Sequence, residues 1–310
     1  MKKWKNVAAL LIAALIWGCA FVAQTTGGAV VGPYAFICIR FYIGAIVLVP
    51  VIFLLDKLGL SGGKPVSKEE KKLLWKAGVV CGLTLGIASM LQQLGIYYGT
   101  GTAKAGFLTT VYILIVPILS LVLKKKCGWN IWIAVIITLF GLYLLCMNGR
   151  LVLEKSDSLV LMCSVMYALF IMAVDHYVDR VDPVRLSQLQ FVVTATMAII
   201  PMVYVDMGHS IDGFMAWLPS LGRMDAWTGI LFAGIMSSGV AYTLQVVGQK
   251  DFNPTIATLL MSLESVFSSL AGWIILGQRL NQREILGCVI IFGAVILAQM
   301  PVQSLFKRKE

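Results

Sequence analysis

Glu264 lies in the middle of a long apolar run, with no basic residue within one helical turn on either side. A carboxylate in hydrocarbon is costly, so it needs a proton or a cation brought by another segment. Such a group suits a proton relay, which makes Glu264 the proton-coupling candidate; a structural ion pair with a distant base is the competing use. Lys104 opens another apolar segment. It either snorkels to the interface or reaches inward, to an anionic ligand group or to Glu264. Arg40 lies deeper in its segment, and its planar fork suits either a carboxylate ligand or a structural tether to helix carbonyls.

Uncharged polar groups form stripes. Ser238, Tyr242, Gln245 and Gln249 follow i, i+4, i+7 and i+11, one face of an α-helix. An offset of 152 residues matches them to Gly86, Met90, Gln93 and Tyr97. Gln93 and Gln245 are therefore expected either to share a central cavity or to hydrogen-bond helices together. The same offset sets Tyr112 against Glu264, and Lys104 against Ile256. Trp17, Phe21 and Gln24 follow i, i+4 and i+7, and an offset of 150 sets Trp17 against Tyr167. Aromatic walls of this kind suit amphipathic substrates and equally serve packing. Asp175 and His176 read as a solvated helix end.

The sequence has no Gly-x-Ser-x-Gly elbow, no His-Glu-x-x-His pair and no phosphate-binding loop. Seven cysteines at irregular spacing imply neither a disulfide framework nor a metal site. No catalytic residue, metal or cofactor is assigned.

The elements that carry these groups are set by composition. Hydrophobic residues make up 59% of 310 positions, charged residues 13%, and mean hydropathy is +0.88, which excludes an ordinary soluble domain. Apolar windows of about 20 residues, the length that crosses a bilayer as helix, centre near 6–24, 34–55, 74–96, 104–123, 129–147, 158–175, 185–205, 227–248, 255–276 and 285–302. The expected fold is all-α, with ten transmembrane helices. The first window is read as a retained helix rather than a secretory signal, since Trp17 fits a cleavage box poorly. The formal charge of +10 collects on the side of both termini, which places them in the cytoplasm. It implies contact with anionic lipid rather than nucleic acid.

Five helices per half is an odd number, so residues 1–150 and 151–310 are expected to be inverted copies, an architecture suited to transport. Pro33 and Phe41 return as Pro183 and Phe191, and Arg40 falls on Gln190. Gly78, Gly82 and Gly86 form a ridge without side chains that lets another helix approach. Gly82 and Gly86 fall on Gly234 and Ser238, so the two ridges should meet equivalent neighbours. Phe140 and Gly141 return as Phe292 and Gly293.

Several of these segments resemble the ten-helix, EamA-type branch of the drug/metabolite transporter superfamily, and the resemblance covers essentially the whole chain. It is carried by Ile16-Trp17-Gly18-Cys19-Ala20-Phe21 and by Pro33-x6-Arg40-Phe41. More specific are Thr102-Ala103-Lys104-Ala105-Gly106-Phe107-Leu108-Thr109 leading to Val116-Pro117, and Ser262-Leu263-Glu264-Ser265-Val266-Phe267 leading to Leu276-Gly277-Gln278. The resemblance implies a central cavity lined chiefly by helices 1, 3, 4, 6, 8 and 9, with Lys104 and Glu264 where members tend to keep charges on the path. Ser265 stands where a proline is usual and Gln278 where an acidic residue is usual, so the bend and closing loop of the second copy are expected to differ.

Members handle amino acids, nucleotide-like metabolites, sugars and toxic amines. The expected activity is secondary transport of a small polar or amphipathic metabolite, amino acids favoured, exported across a bacterial inner membrane by alternating access. Import or facilitated uniport is the alternative, and an intramembrane enzyme a distant one. A channel would need a ring of charges or a filter-like segment that the sequence lacks.

Overall fold

The computed structural model describes residues 2–59, 61–124, 128–147, 153–276 and 281–299. Among them every regular element is helical. In chain order these are α1 (Lys2–Val31), α2 (Pro33–Lys57), α3 (Lys68–Tyr97), α4 (Thr102–Thr110), α5 (Tyr112–Val122), α6 (Trp129–Cys146), α7 (Lys155–Tyr177) and α8 (Pro183–Pro201). There follow α9 (Ile211–Trp217), α10 (Met224–Leu231), α11 (Thr243–Gln249), α12 (Pro254–Met261), α13 (Glu264–Leu276) and α14 (Gln282–Gln299). A π-helical turn, Met202–Asp206, extends α8, and an eleven-residue π segment, Phe232–Tyr242, joins α10 to α11.

The helix starts follow from local chemistry. Pro33, Pro183 and Pro254 occupy first-turn positions, where a missing N–H costs nothing. Ser67 with Glu70 and Glu154 with Asp157 close capping boxes on α3 and α7.

Eight of these helices or helix runs are long and apolar enough to cross a membrane. The windows near 255–276 and 285–302 fall on shorter pieces, α12 with α13, and on α14. Ile46, Phe53, Ile136, Phe140, Val289 and Phe292 are exposed on outer faces. Apolar side chains so placed on long helices are those of a multi-pass membrane protein, with lipid as the outer solvent.

Helices meet where side chains are missing. α2 lies along α8 and α6 along α14; α3 packs on α7, and α1 on α10, the long π segment and α11. A Cβ on Gly82 would fall 2.9 Å from the Gln190 carbonyl and 2.6 Å from the Val193 side chain. A Cβ on Gly234 would fall 3.2 Å from the Arg40 carbonyl and 2.7 Å from the Ile43 side chain. Val193 and Gln190 are the residues 150 places after Ile43 and Arg40, so the two ridges do meet equivalent neighbours. The correspondence does not extend to every glycine: Gly141 packs against Gly287 of α14, while among the described residues a Cβ on Gly293 would meet nothing within 4 Å.

The π segment shifts the register between the matching helices. Gly86 rests beside Thr194, and Ser238 beside Gly44, which preserves the offset of 152. One helical stage later, Gly95 abuts Val160 and the Ser156 carbonyl, and Gly248 abuts Leu10 and the Asn6 carbonyl. These partners keep their offset of 150, but Gly95 and Gly248 are 153 apart. A π turn holds one more residue than an α turn, so the segment between Ser238 and Gly248 has absorbed one residue. Beyond it, Gln245 corresponds to Gln92 rather than Gln93, and Tyr242 to Ser89 rather than Met90.

Carboxylates clasp both ends of the α2/α8 pair. Asp56 at the end of α2 receives Arg185 Nη2 of the first turn of α8, at 2.6 and 2.7 Å to its two oxygens. Asp206, which is 150 places after Asp56, accepts the backbone N–H of Ala35 in the first turn of α2 at 2.6 Å. α8 also has its own cap, Asp182, bonded to the N–H of Arg185. The corresponding position in α2 is Gly32, at φ 95°, where a Cβ would strike the Asp206 carboxylate at 2.5 Å. Asp206 thus supplies from another helix the cap that Gly32 lacks. Asp206→Ala should destabilise the protein by about 1–2 kcal/mol, the range for losing a charged N-terminal cap, with Asp206→Asn losing less. Thermal unfolding of purified protein in detergent checks this; an unchanged midpoint for Asp206→Ala contradicts it.

Candidate functional site

Two short helix interruptions, tightened turns whose backbone stays right-handed, shape the centre of the bundle. α4 gives way to α5 at Val111, and α12 gives way to α13 at Ser262 and Leu263. Tyr112 and Glu264 are the first residues after these breaks, so the expected match between them holds in their placement. Both side chains are buried and line one cavity of about 40 Å³. Its other walls are Trp17, Phe21 and Gln24 from α1, Gln92 from α3, Thr109 from α4, and Tyr167 with Ile171 from α7. Ser237, Tyr242, Gln245 and Met261 complete them, together with Arg40, the single contribution of α2.

The cavity's polar groups are partly tied to one another. The Tyr167 hydroxyl lies 3.2 Å from that of Tyr242 and donates to Gln92 Oε1 at 3.4 Å. Gln92 Nε2 donates to Thr109 Oγ1 at 3.0 Å. Gln245 Nε2 donates to Gln249, which in turn reaches the Ile171 carbonyl. Glu264 Oε1 lies 3.3 Å from Thr110 Oγ1, whose single proton is shared with the nearer Gly106 carbonyl of its own helix at 2.7 Å. Tyr242 is held among rings, 4.9 Å from Trp17 and 5.9 Å from Phe41.

α1 reaches this centre because Gly18 carries no side chain. A Cβ there would fall 2.7 Å from the Ser268 nitrogen and 2.8 Å from the Glu264 carbonyl. The close crossing presses Trp17 and Phe21 against the break that presents Glu264.

Seven of the nine residues expected at a site, Trp17, Arg40, Tyr112, Tyr167, Tyr242, Gln245 and Glu264, are brought together here. Gln93 is not. It points the other way, donating to the Gln24 carbonyl at 3.1 Å and packing on Gly28, and Gln92 stands in the cavity wall instead. The pairing with Gln245 expected from an unbroken α-helical stripe is thus corrected by one residue. Lys104 is also elsewhere: its ammonium is ion-paired with the buried Asp157, whose other oxygen accepts from Thr100 at 2.9 Å. Asp157 lies in the first turn of α7, where its carboxylate also accepts the Glu154 backbone N–H, so Lys104 fastens α4 to α7 rather than facing Glu264. Asp175 and His176 line no part of the cavity. Gln278 lies outside the described residues.

Ser237 and Gln92 escaped the sequence reading because each neighbours a residue that an ideal helix would have chosen instead. No signal in the apolar pattern marks an inserted π residue.

Known proteins place this geometry in a group. The EamA-like transporter family matches the chain twice, over residues 4–147 and 155–300. An uncharacterized transporter of Archaeoglobus fulgidus is 24% identical over 298 residues, 94% of this chain and 85% of that protein. Protein PecM of Dickeya dadantii is 33% identical over 93 residues, 30% of this chain and 31% of its own. A crystal structure superimposes with a TM-score of 0.74 at 17% identity, covering 97% of this chain and 98% of that one. This last likeness concerns the fold.

Two glycines near the cavity separate close packing from loose. Gly18→Ala should cost about 1–3 kcal/mol through overpacking and weaken any ligand held beside Trp17. Gly106→Ala should be close to neutral, because its nearest neighbour would lie at 3.7 Å. Thermal midpoints of both variants in detergent check the pair; equal midpoints contradict the assigned crossing.

Proposed function

The chain belongs to the EamA-like transporter family, and on that premise we propose that it is a secondary transporter whose cargo binds in the cavity between α1, α3, α4/α5, α7, α11 and α12/α13. The observation that carries the reading is the matched pair of helix interruptions, each presenting its first side chain, Tyr112 or Glu264, to one polar cavity. In hydrocarbon, irregular backbone is tolerated only where it is buried in protein or lines a wet cavity. Breaks at corresponding places on both sides suit a site about which two halves rock.

In this reading residues 1–150 and 151–310 form inverted five-helix halves of a ten-helix protein. The equivalent contacts of α2 with α8 and of the two glycine ridges support it. Both termini face the cytoplasm of a bacterial inner membrane, and the cargo is a small polar or amphipathic metabolite, with amino acids favoured, moved outward. Trp17, Tyr167, Tyr242, Gln92 and Gln245 contact it. Lys104, with Asp157, ties one end of the path instead of touching cargo.

Glu264 is the coupling group. It shares the cavity with Arg40, Tyr112, Tyr167 and Tyr242, the other ionisable groups of its lining. Proton release from Glu264 to one side and uptake from the other would exchange a proton for cargo. Reconstituted into proteoliposomes and offered a panel of labelled amino acids, the protein should accumulate cargo when a pH gradient is applied. Glu264→Gln should abolish gradient-driven accumulation, by tenfold or more, while retaining exchange of internal for external cargo. Transport by Glu264→Gln that keeps the native pH dependence removes Glu264 from coupling, and absence of any flux with a bound amino acid counts against transport.

A further inference from the structure

Arg40 is the one residue of α2 that reaches the cavity, and it is only 1% exposed. Its guanidinium carbon lies 4.6 Å from the centre of the Phe41 ring and 5.6 Å from that of Phe36. Its Nε and Nη2 have no hydrogen-bond partner among the described residues. A fully buried charge is normally paired or hydrogen-bonded, and contact with two rings replaces only a small part of the lost hydration. Among the described residues Arg40 and Glu264 form no ion pair, although they line the same cavity.

The remaining unpartnered atoms sort by character. Trp17 Nε1 is a donor, as are the two Arg40 nitrogens. Gln24 Oε1 and Gln245 Oε1 are acceptors, and Glu264 adds a carboxylate. Phe21, Ile171 and Met261 are apolar. A ligand that satisfies this set carries an acceptor group for a planar guanidinium, a donor group for the carboxylate and amides, and an apolar remainder. At the equivalent place in the other half stands Gln190, buried in α8 and absent from the lining. The guanidinium is therefore not demanded by the repeated scaffold.

We infer that Arg40 is the carboxylate-reading residue of the cavity, and that the cargo is a small apolar amino acid whose ammonium faces Glu264. The inference rests on the reading of the cavity as the cargo site. An amine without a carboxylate leaves Arg40 unpaired; a carboxylic acid without an amine leaves Glu264 unpaired unless it is protonated; a sugar supplies no charge for either. The planar fork matters as well as the charge, since guanidinium binds a carboxylate through paired donors and an ammonium does not.

The test is ligand binding by the full chain in detergent, read as a shift of the thermal midpoint. Probes are the twenty common amino acids and, for each one that binds, its amide, its decarboxylated amine and its deaminated acid. At least one apolar amino acid should stabilise the protein, and its amide and amine should bind at least tenfold more weakly, as expected for loss of a charged hydrogen bond. Arg40→Gln, which copies the residue already tolerated in α8, should lose the amino acid by a similar factor, and Arg40→Lys should recover it only in part. Amines that match or exceed their parent amino acids overturn the assignment in the native protein, whatever the variants do. So does the absence of any shift across the amino acids. Binding that survives Arg40→Gln but is lost in Trp17→Ala keeps the cavity and removes Arg40. Binding that survives both removes the cavity as the cargo site.

Discussion

Contact between helix backbones at positions without side chains is the constraint on which the rest of this structure depends. In lipid, apolar side chains gain little by meeting one another, so helices associate through close packing and polar contacts. Gly82, Gly234 and Gly44 bring α2, α3, α8 and the long π segment together, and Gly18 brings α1 onto the break before Glu264. These crossings leave no freedom to place a bulky residue, and they fix which faces remain turned inward. The cavity is what those faces enclose.

Much of that frame was legible. The glycine ridge of α3 and its counterpart, the prolines that start α2 and α8, and the lone carboxylate of Glu264 are all marked by residue type and spacing. Stripes drawn with 3.6 residues per turn also set Trp17, Phe21 and Gln24 on one face, and all three line the cavity. They failed beyond Ser238, because the π segment between Phe232 and Tyr242 takes up one residue, so that Gln92 rather than Gln93 is the counterpart of Gln245 in the cavity wall. Lys104 misled for another reason. Its partner, Asp157, lies in the first turn of a different helix and looks like an ordinary capping-box residue in sequence, and only folding brings the two together. The cap that Asp206 provides for α2 spans 171 positions of chain and has no local signature.

Residues 1–150 and 151–310 share several contacts, and the carboxylates Asp56 and Asp206, but few other charges. Where α8 carries the cap Asp182, α2 has Gly32; where α8 buries Gln190, α2 has Arg40; where one break presents Glu264, the other presents Tyr112. Repetition serves the scaffold, since equivalent helices must pack and slide in equivalent ways. In the proposed site, departure from it serves recognition, because a cargo with distinct ends needs unlike groups to hold them. The unlike groups that face the cavity are a cation and a carboxylate set among tyrosines, and this separates the cavity chemically from the outer, lipid-facing surface.

Access to the cavity from both sides of the membrane tests the account most directly. Ser237 is small, buried and part of the cavity wall, so Ser237→Cys, with the seven native cysteines replaced, reports that access. Membrane-impermeant thiol reagents would be applied to right-side-out and to inverted vesicles. The account predicts labelling from each side, with cargo changing the two rates in opposite directions. Labelling confined to one side, at a rate that cargo does not alter, would contradict it.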